Sequence, residues 1–246
     1  MSINERLRKY QEDWFEGDFR PYVENNMELD ISDPFFTGVS DEYEKADKRI
    51  MIVGQETDGW DVYPHDCQIE KSQQNVIDYL RYQLHYSNDE KLIEKFKKRN
   101  TSQFWNFFRA ISKDGIVPCW NNIDKAQRNI NGKTKALTVE IECELNKNLP
   151  NSNKTIFQRE IEITKPDVIV LITGPNYYIT METAMNLKKN TLEDFRPSIQ
   201  NSCVDISSIA NFGIPTFWTY HPTYISRNKY LNRDDIIAKI MDGFQK

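Results

Sequence analysis

Four short apolar segments, each ending in glycine or in polar residues, constrain the fold of this chain more than any other feature. They occupy residues 49–53, 115–120, 167–173 and 214–220. The third, DVIVLIT, is the clearest buried strand, because a helical pattern stopped by Pro166 precedes it and Gly174 closes it. Segments with helical periodicity separate the four strands. This alternation predicts an α/β domain with a short, mainly parallel central sheet.

The remaining segments fit one domain over residues 1–246, because the chain shows no repeat, no low-complexity tract and no linker. Apolar spacing predicts helices over residues 3–15, 72–86, 90–98, 104–111, 154–165 and 234–244. Residues 1–47 are interpreted as an N-terminal extension, helical at first and then irregular around Pro21 and Pro34. The Asn- and Lys-rich residues 125–153 are longer than a simple crossover needs, which suggests a lid or a partner surface.

Composition narrows the class of protein without naming an activity. The chain carries 32 Lys and Arg against 37 Asp and Glu, a formal charge of −5. This balance disfavours a broad basic face for non-specific nucleic-acid binding but permits a local basic site. No apolar run approaches the roughly 18 residues of a membrane span, and the charged N-terminus shows no secretory signal. With four cysteines and no Cys-x-x-Cys pair, the sequence predicts a cytoplasmic protein without membrane association.

Polar residues follow all four predicted strands at the point where each strand ends. They are Gly54-Gln55-Glu56, Trp120-Asn121-Asn122, Gly174-Pro175-Asn176 and His221-Pro222-Thr223. In an open parallel sheet, ligands bind outside the carboxyl ends of the strands. A carboxylate, several amides and an imidazole are therefore expected to converge on one cleft.

Several common catalytic motifs are absent. The chain has no phosphate loop of the G-x-x-x-x-G-K-[ST] type, no G-x-G-x-x-G after a strand and no G-x-S-x-G. One local cluster, Asp58, Asp61, His65 and Asp66, has the oxygen-rich chemistry of a hard-cation site. A polar loop that uses Asp and Gly for turns is the better interpretation. The sequence predicts no metal and no redox cofactor.

Three motifs in order along the chain resemble a known family. Residues 50–56 (IMIVGQE) resemble the first motif of the uracil-DNA glycosylase superfamily, in which a strand runs into Gly-Gln-Asp-Pro-Tyr. Residues 221–226 (HPTYIS) resemble its last motif, His-Pro-Ser-Pro-Leu-Ser. Between them, residues 119–122 (CWNN) are similar to the family's strand that ends in a base-reading Asn.

Two longer segments extend the resemblance over about residues 48–245. Residues 104–109 (FWNFFR) are similar to the family's aromatic helix, and residues 160–174 to its helix and strand before the third crossover. The order of the motifs is preserved. The resemblance implies a three-layer α/β/α uracil-DNA glycosylase-like domain, the class that the strand pattern predicts independently.

The resemblance also implies a reaction, hydrolysis of the N-glycosidic bond of a damaged or deaminated nucleobase in nucleic acid. Such cleavage builds an oxocarbenium-like sugar and an anionic base, so it needs a carboxylate near the sugar and a donor near the base. Glu56 occupies the position of the family's catalytic Asp. His221 occupies the position of the imidazole that stabilises the departing base.

Further residues are assigned to binding of a flipped nucleotide. Asn121, or alternatively Asn122, would read the base with its amide, and Gln55 would contribute backbone or amide contacts. Trp60, which follows a glycine in the predicted site loop, is expected to stack on the base. Contacts with the nucleic-acid backbone are predicted as well. Thr223 and Ser226 would bind phosphates, and Arg227 and Lys229 would supply positive charge. Ile225 occupies the position of the family's Leu wedge.

Two departures from the family pattern leave alternatives open. Thr57-Asp58 stands in place of Pro-Tyr, whose Tyr normally walls off thymine, and Tyr224 replaces a Pro of the last motif. One alternative is a base- or partner-binding module of the same fold that has lost turnover. Another is a hydrolase of a free nucleotide or small glycoside, which would explain the acidic charge.

Overall fold

The computed structural model describes residues 1–55, 68–97, 102–130, 133–146 and 153–245. Within these ranges the strands are β1 Lys48–Gly54, β2 Ile116–Asn122, β3 Arg128–Ile130, β4 Lys133–Lys135, β5 Val168–Leu171, β6 Cys203–Asp205 and β7 Thr216–Thr219. The central sheet has the order β2-β1-β5-β7-β6. Its first four strands are parallel and β6 is antiparallel to β7. The predicted α/β class with a mainly parallel central sheet is confirmed.

The α-helices of the described residues connect and cover these strands. They are α1 Ile3–Trp14, α2 Arg20–Glu24, α3 Asp41–Lys45, α4 Ile69–Gln83, α5 Glu90–Phe96, α6 Gln103–Ile111, α7 Val139–Leu145, α8 Ile156–Thr164, α9 Tyr178–Ala184, α10 Ser207–Ala210, α11 Pro222–Arg227 and α12 Arg233–Met241. None of these helices has the length and apolar character needed to cross a membrane.

Strand β2 contains a proline, Pro118, a residue that cannot donate a hydrogen bond within a sheet. The sheet tolerates Pro118 because β2 is an edge strand, where a missing backbone N–H can face away from the ladder. Strand β6, the opposite edge, is only three residues long and carries no apolar run that sequence periodicity could detect. The tolerated proline and the short β6 both reflect the position of these strands at the edges of the sheet.

Alternate side chains of the strands enter two separate hydrophobic clusters. On one face, Met51, Val53 and Leu171 pack with side chains of α1, α8 and α9. On the other face, Ile50 and Ile52 pack with side chains of α4, α6, α11 and α12. Because successive residues of a strand point to opposite faces, helices cover both sides of the sheet.

The N-terminal region is more helical than its sequence suggests. Helix α1 begins with a capping box formed by Ser2 and Glu5, and a π-helical turn, Phe15–Phe19, leads directly into α2. The stretch around Pro21 was predicted to be irregular. It is helical, because the π-helical turn runs into α2 without a break and Pro21 lies directly after this change in helical hydrogen bonding.

The Asn- and Lys-rich segment packs against this N-terminal region. The indole N–H of Trp14 donates to the carbonyl oxygen of Leu145 at 2.7 Å. A third hydrophobic cluster joins Trp14, Phe19 and Phe36 to Leu145 and Ile156. The described part of the segment is therefore built into the body of the domain and contributes to its core.

Candidate functional site

The carboxyl ends of the parallel strands are tied together by backbone and side-chain hydrogen bonds. The Ile123 N–H, just after β2, donates to the carbonyl oxygen of Gly54 at the end of β1. The Nε2 amide of Gln55 donates to the carbonyl oxygen of Thr173 after β5, at 2.7 Å. The Gly174 N–H donates to the carbonyl oxygen of Thr219 at the end of β7. The strand ends that carry the predicted site residues therefore form one continuous edge.

His221 lies between β7 and α11 and caps that helix. The backbone N–H of Thr223 donates to Nδ1 of His221 at 3.3 Å. Nδ1 therefore carries no proton, and a neutral ring holds its proton on Nε2. Burial lowers the pKa of the imidazole below its ordinary value of 6.5, which favours this neutral form. His221 is thus prepared to donate a hydrogen bond from Nε2.

Phe104, near the start of α6, is the aromatic neighbour of His221. Ser102 caps α6 by accepting a hydrogen bond from the Trp105 N–H, and this places Phe104 in the first turn. The centroids of the Phe104 and His221 rings are 6.1 Å apart, and their planes are inclined by 25°. The Phe104 side chain is half-buried, so it borders the site with apolar surface that could meet a planar ligand.

Gly54 allows Phe104 and Asn122 to approach the end of β1. A Cβ atom at residue 54 would lie 2.6 Å from Oδ1 of Asn122 and 3.2 Å from Cε2 of Phe104. The first of these distances is shorter than real Cβ contacts, so any larger residue would displace the amide. The Gly54 position therefore belongs to the geometry of the site and not only to the strand end.

Asn122 supplies the most informative polar group of the site. Its Oδ1 accepts a hydrogen bond from the Trp120 indole N–H at 2.9 Å. Since an indole N–H can only donate, this contact fixes the orientation of the amide and leaves Nδ2 as the second polar atom. Nδ2 is buried and finds no hydrogen-bond partner among the residues described in the structure. A buried donor without a partner costs about 1–3 kcal/mol, which an acceptor on a ligand would recover.

Asn121, the other predicted base reader, points into a buried polar network on the opposite side of the strand. Its Nδ2 donates to Oε2 of Glu160 at 2.9 Å, and its Oδ1 accepts from Nζ of Lys125 at 2.5 Å. Lys125 and Glu160 also form a buried ion pair at 2.5 Å. Since both polar atoms of the Asn121 amide have internal partners, Asn122 is the amide left to meet a ligand.

The Lys125 ammonium group is enclosed by this network. Burial lowers its pKa, and the negative charge of Glu160 opposes that shift. The network continues through Gln11, whose Nε2 donates to Oε1 of Glu160, to Gln73, whose Nε2 donates to Oε1 of Gln11. It therefore joins α1, α4 and α8 behind the end of β2.

Gln55 is half-buried at the end of β1, and its Nε2 is used to hold Thr173. The next residue of the chain is Glu56, the predicted catalytic carboxylate. Glu56 and the predicted stacking residue Trp60 lie outside the described residues, as does the acidic cluster from Asp58 to Asp66. Their roles stay predictions from sequence.

The predicted backbone-binding residues lie on or directly after α11 but face different ways. Ser226, Arg227 and Lys229 are exposed, and Thr223 is half-buried. Ile225, in contrast, is only 4% exposed and belongs to the cluster on the second face of the sheet. In this arrangement Ile225 is a core residue rather than a projecting wedge, because its position on α11 turns it towards the sheet. The neighbouring exposed residue is Tyr224.

Two important residues were not assigned a site role from the sequence. Phe104 was predicted only as part of the aromatic helix. Its partial exposure beside His221 depends on where α6 begins. Lys125 was one of several lysines in a polar segment, and no local pattern distinguished it. Lys125 is buried against Glu160, a residue 35 positions away in the chain, so no local pattern could reveal the contact.

No protein-family model matches this sequence, and no curated protein matches it significantly.

Proposed function

We propose that this protein hydrolyses the N-glycosidic bond of a nucleobase in nucleic acid, as a divergent relative of the uracil-DNA glycosylases. The observation that carries the proposal is the state of His221. Its Nδ1 accepts from a backbone N–H, its pKa is lowered by burial, and its ring lies beside Phe104. A neutral imidazole with its proton on Nε2 is a donor suited to negative charge that develops on a leaving group.

The chemistry follows from where the bonding electrons go. When the bond between the sugar C1′ and the base nitrogen breaks, its electron pair stays with the base, and the sugar becomes cationic. The Nε2–H of His221 would stabilise the anionic base by a hydrogen bond. Water then adds to C1′ and loses a proton to a carboxylate, the role that the sequence predicts for Glu56.

Base recognition would use Asn122 and Phe104. The Nδ2 of Asn122 has no partner within the described ranges, and it is a donor suited to a carbonyl oxygen on the Watson–Crick edge of an extruded base. The half-buried ring of Phe104 offers an apolar surface beside it. Gly54 lets both side chains approach the end of β1, since a Cβ atom there would lie 2.6 Å from Oδ1 of Asn122.

A glycosylase assay tests the proposal directly. The substrates are single- and double-stranded oligonucleotides that contain uracil, hypoxanthine or xanthine, and the readout is the formation of abasic sites. His221→Asn should lower the rate constant about 100- to 1000-fold, as expected for loss of one positioned donor. The matched control is His85→Asn, because His85 is exposed and has the positive φ of 58° that Asn tolerates. This variant should retain full activity.

The alternatives give different results in the same experiment. A folded protein that cleaves none of these substrates but binds them with His221-dependent affinity would be a base-binding module. Cleavage of free nucleosides, with an affinity that barely changes with salt, would identify a small-glycoside hydrolase. Equal cleavage by the His221→Asn variant and the wild type would refute the assigned role of His221.

A further inference from the structure

The segment that follows His221 presents aromatic rings and positive charge together on the surface. Tyr224 is 47% exposed and Tyr230 is 67% exposed, although both are large hydrophobic side chains. Arg227 and Lys229 lie between them in sequence and are exposed as well. We call these four residues the α11 surface. It begins one helical turn after His221, since the Tyr224 N–H donates to the His221 carbonyl oxygen at 2.8 Å.

The ring of Tyr224 is held in place before any ligand arrives. It stacks on the buried ring of Tyr220 with a centroid distance of 4.9 Å and an interplanar angle of 20°. The Tyr220 hydroxyl in turn donates to the carbonyl oxygen of Pro197 at 3.0 Å. A side-chain amide of Asn228 donates to the Tyr224 hydroxyl at 3.3 Å. An aromatic ring fixed in this way loses little conformational freedom when a second ring stacks on it.

The positive charges of the α11 surface lie beside a groove at the start of α12. Neither Arg227 nor Lys229 forms an ion pair with any residue that the structure describes. Both line a groove of about 600 Å³ together with Arg233 and Asp234, which pair with each other at 3.0 Å and so leave Arg227 and Lys229 as its uncompensated charges among the described residues. Tyr224 and Arg227 are three residues apart on α11, so their side chains are neighbours on the helix surface.

We infer that the α11 surface binds a single-stranded polynucleotide, with Tyr224 stacking on a base that flanks the target nucleotide. Single strands are bound by grooves that combine positive charge with aromatic rings, because unpaired bases expose their faces. In a duplex those faces are covered by neighbouring base pairs, so stacking by Tyr224 would first cost the unstacking of a base step. This inference rests on the proposed function and specifies its substrate as single-stranded.

The small number of charges sets a further expectation. Two phosphate contacts to a single strand give a salt dependence of log affinity with a slope of roughly −1.4, at about −0.7 for each contact. A protein of net charge −5 gains no additional attraction from its other surfaces. Stacking should therefore contribute a large share of the affinity.

The test measures the affinity of labelled oligothymidylate, in single-stranded form and annealed to its complement, by fluorescence anisotropy. The wild type should bind the single strand more tightly than the duplex. Tyr224→Ala should weaken single-strand binding about 5- to 100-fold, the range expected for one stacked base. Tyr224→Phe keeps the ring and should keep the affinity. Circular dichroism should show that both variants are folded, since Tyr224 is half-exposed.

The charge contribution has its own matched control. Arg227→Gln/Lys229→Gln should bring the salt slope close to zero. Lys188→Gln/Lys189→Gln makes the same change in net charge at two exposed residues beside Leu187, which packs on the other face of the sheet. That double variant should leave the salt slope unchanged.

The outcomes separate this inference from the proposed function. If the wild type forms abasic sites but Tyr224→Ala binds and cleaves single strands normally, the inference is wrong and the glycosylase proposal stands. If Tyr224→Ala loses single-strand affinity while the wild type cleaves no substrate, the inference about the α11 surface holds and the glycosylase proposal is wrong. Equal wild-type affinity for single strand and duplex would overturn the inference whatever the activity.

Discussion

The rings of Phe104 and His221 lie nearly parallel, with centroids 6.1 Å apart, although the two residues are 117 positions apart in the chain. Phe104 comes from the first turn of α6 and His221 from the end of the segment after β7. Their contact brings an apolar ring beside the imidazole and helps to remove it from water. The lowered pKa of His221 follows from this burial, and its neutral form makes it suitable as a donor.

We expect the activity to fall as the pH drops through the pKa of His221. Protonation places a hydrogen on Nδ1, which then can no longer accept from Thr223. Because burial lowers this pKa, the inflection in kcat/KM should lie below 6.5. The measurement is a pH profile of kcat/KM for the wild type and for His85→Asn, which should give the same curve. An inflection above 6.5 would contradict a desolvated imidazole.

The same pKa shift should affect stability. The folded-state pKa of His221 is lower than the unfolded value of about 6.5, so the unfolded chain binds more protons in this range. The free energy of unfolding should therefore decrease as the pH falls through 6.5 towards the folded-state pKa. Denaturation at several pH values should show that the free energy of unfolding decreases less with falling pH in His221→Asn than in the wild type. An identical pH dependence in the variant would exclude His221 as its source.

The two adjacent asparagines should respond in opposite ways to substitution. Asn121→Ala removes partners of Lys125 and Glu160 inside the core and should cost about 1–3 kcal/mol of stability. Asn122→Ala removes an Nδ2 donor that has no partner in the part of the chain that the structure describes, and it should lower substrate affinity or turnover with a smaller effect on stability. Thermal denaturation and the oligonucleotide assay on both variants check this contrast. The reverse result would return the base-reading role to Asn121.

Removing one partner of the buried ion pair should lower the free energy of unfolding more than replacing both partners. Lys125→Met leaves the Glu160 carboxylate without its cation at a site only 1% exposed, and should cost about 3–5 kcal/mol. The double variant Lys125→Met/Glu160→Leu removes both charges and should be more stable than Lys125→Met alone. Urea denaturation gives the three free energies of unfolding. If the double variant is the least stable, the pair contributes more than the cost of burying its charges.

Gly54→Ala should disturb the site more than the fold. The added methyl group would lie 2.6 Å from Oδ1 of Asn122, so the amide must turn away from Trp120. Overpacking of this kind costs about 1–3 kcal/mol, and the displaced Asn122 should also lower activity. The control is Gly17→Ala, at an exposed position of the π-helical turn. A fully active Gly54→Ala enzyme would show that Asn122 does not contact the substrate.

The cysteines should differ sharply in reactivity towards iodoacetamide. Cys119 and Cys203 are buried, and desolvation raises the pKa of each thiol to about 12. Cys143 is exposed and free. Since the thiolate is the reactive species, mass spectrometry after brief labelling should find Cys143 modified and the two buried thiols intact. Unfolding in urea should make Cys119, Cys143 and Cys203 all reactive; the fourth cysteine, Cys67, lies outside the described residues.

The strands show which parts of the fold could be predicted from the sequence. Residues 167–173 gave a clear strand because nearly every side chain is apolar, as required where both faces of a parallel sheet are covered. The short edge strand β6 and the helix α11 left no such pattern. Pro21 shows the opposite case, because proline often ends regular structure and yet Pro21 lies inside a continuous run of helical turns.

The sequence by itself determined the α/β class, the four parallel strands and the strand ends at which polar residues collect, because these follow from periodicity and from the direction of the chain. Only the tertiary structure distinguished Asn121, whose amide is bonded inside the core, from Asn122. Adjacent residues of a strand point to opposite faces, so which amide meets Glu160 and which lies beside Gly54 and Phe104 depends on how the helices pack. It likewise decided that Ile225 is buried and Tyr224 exposed, because the side of a short helix that faces the sheet is set by contacts distant in sequence.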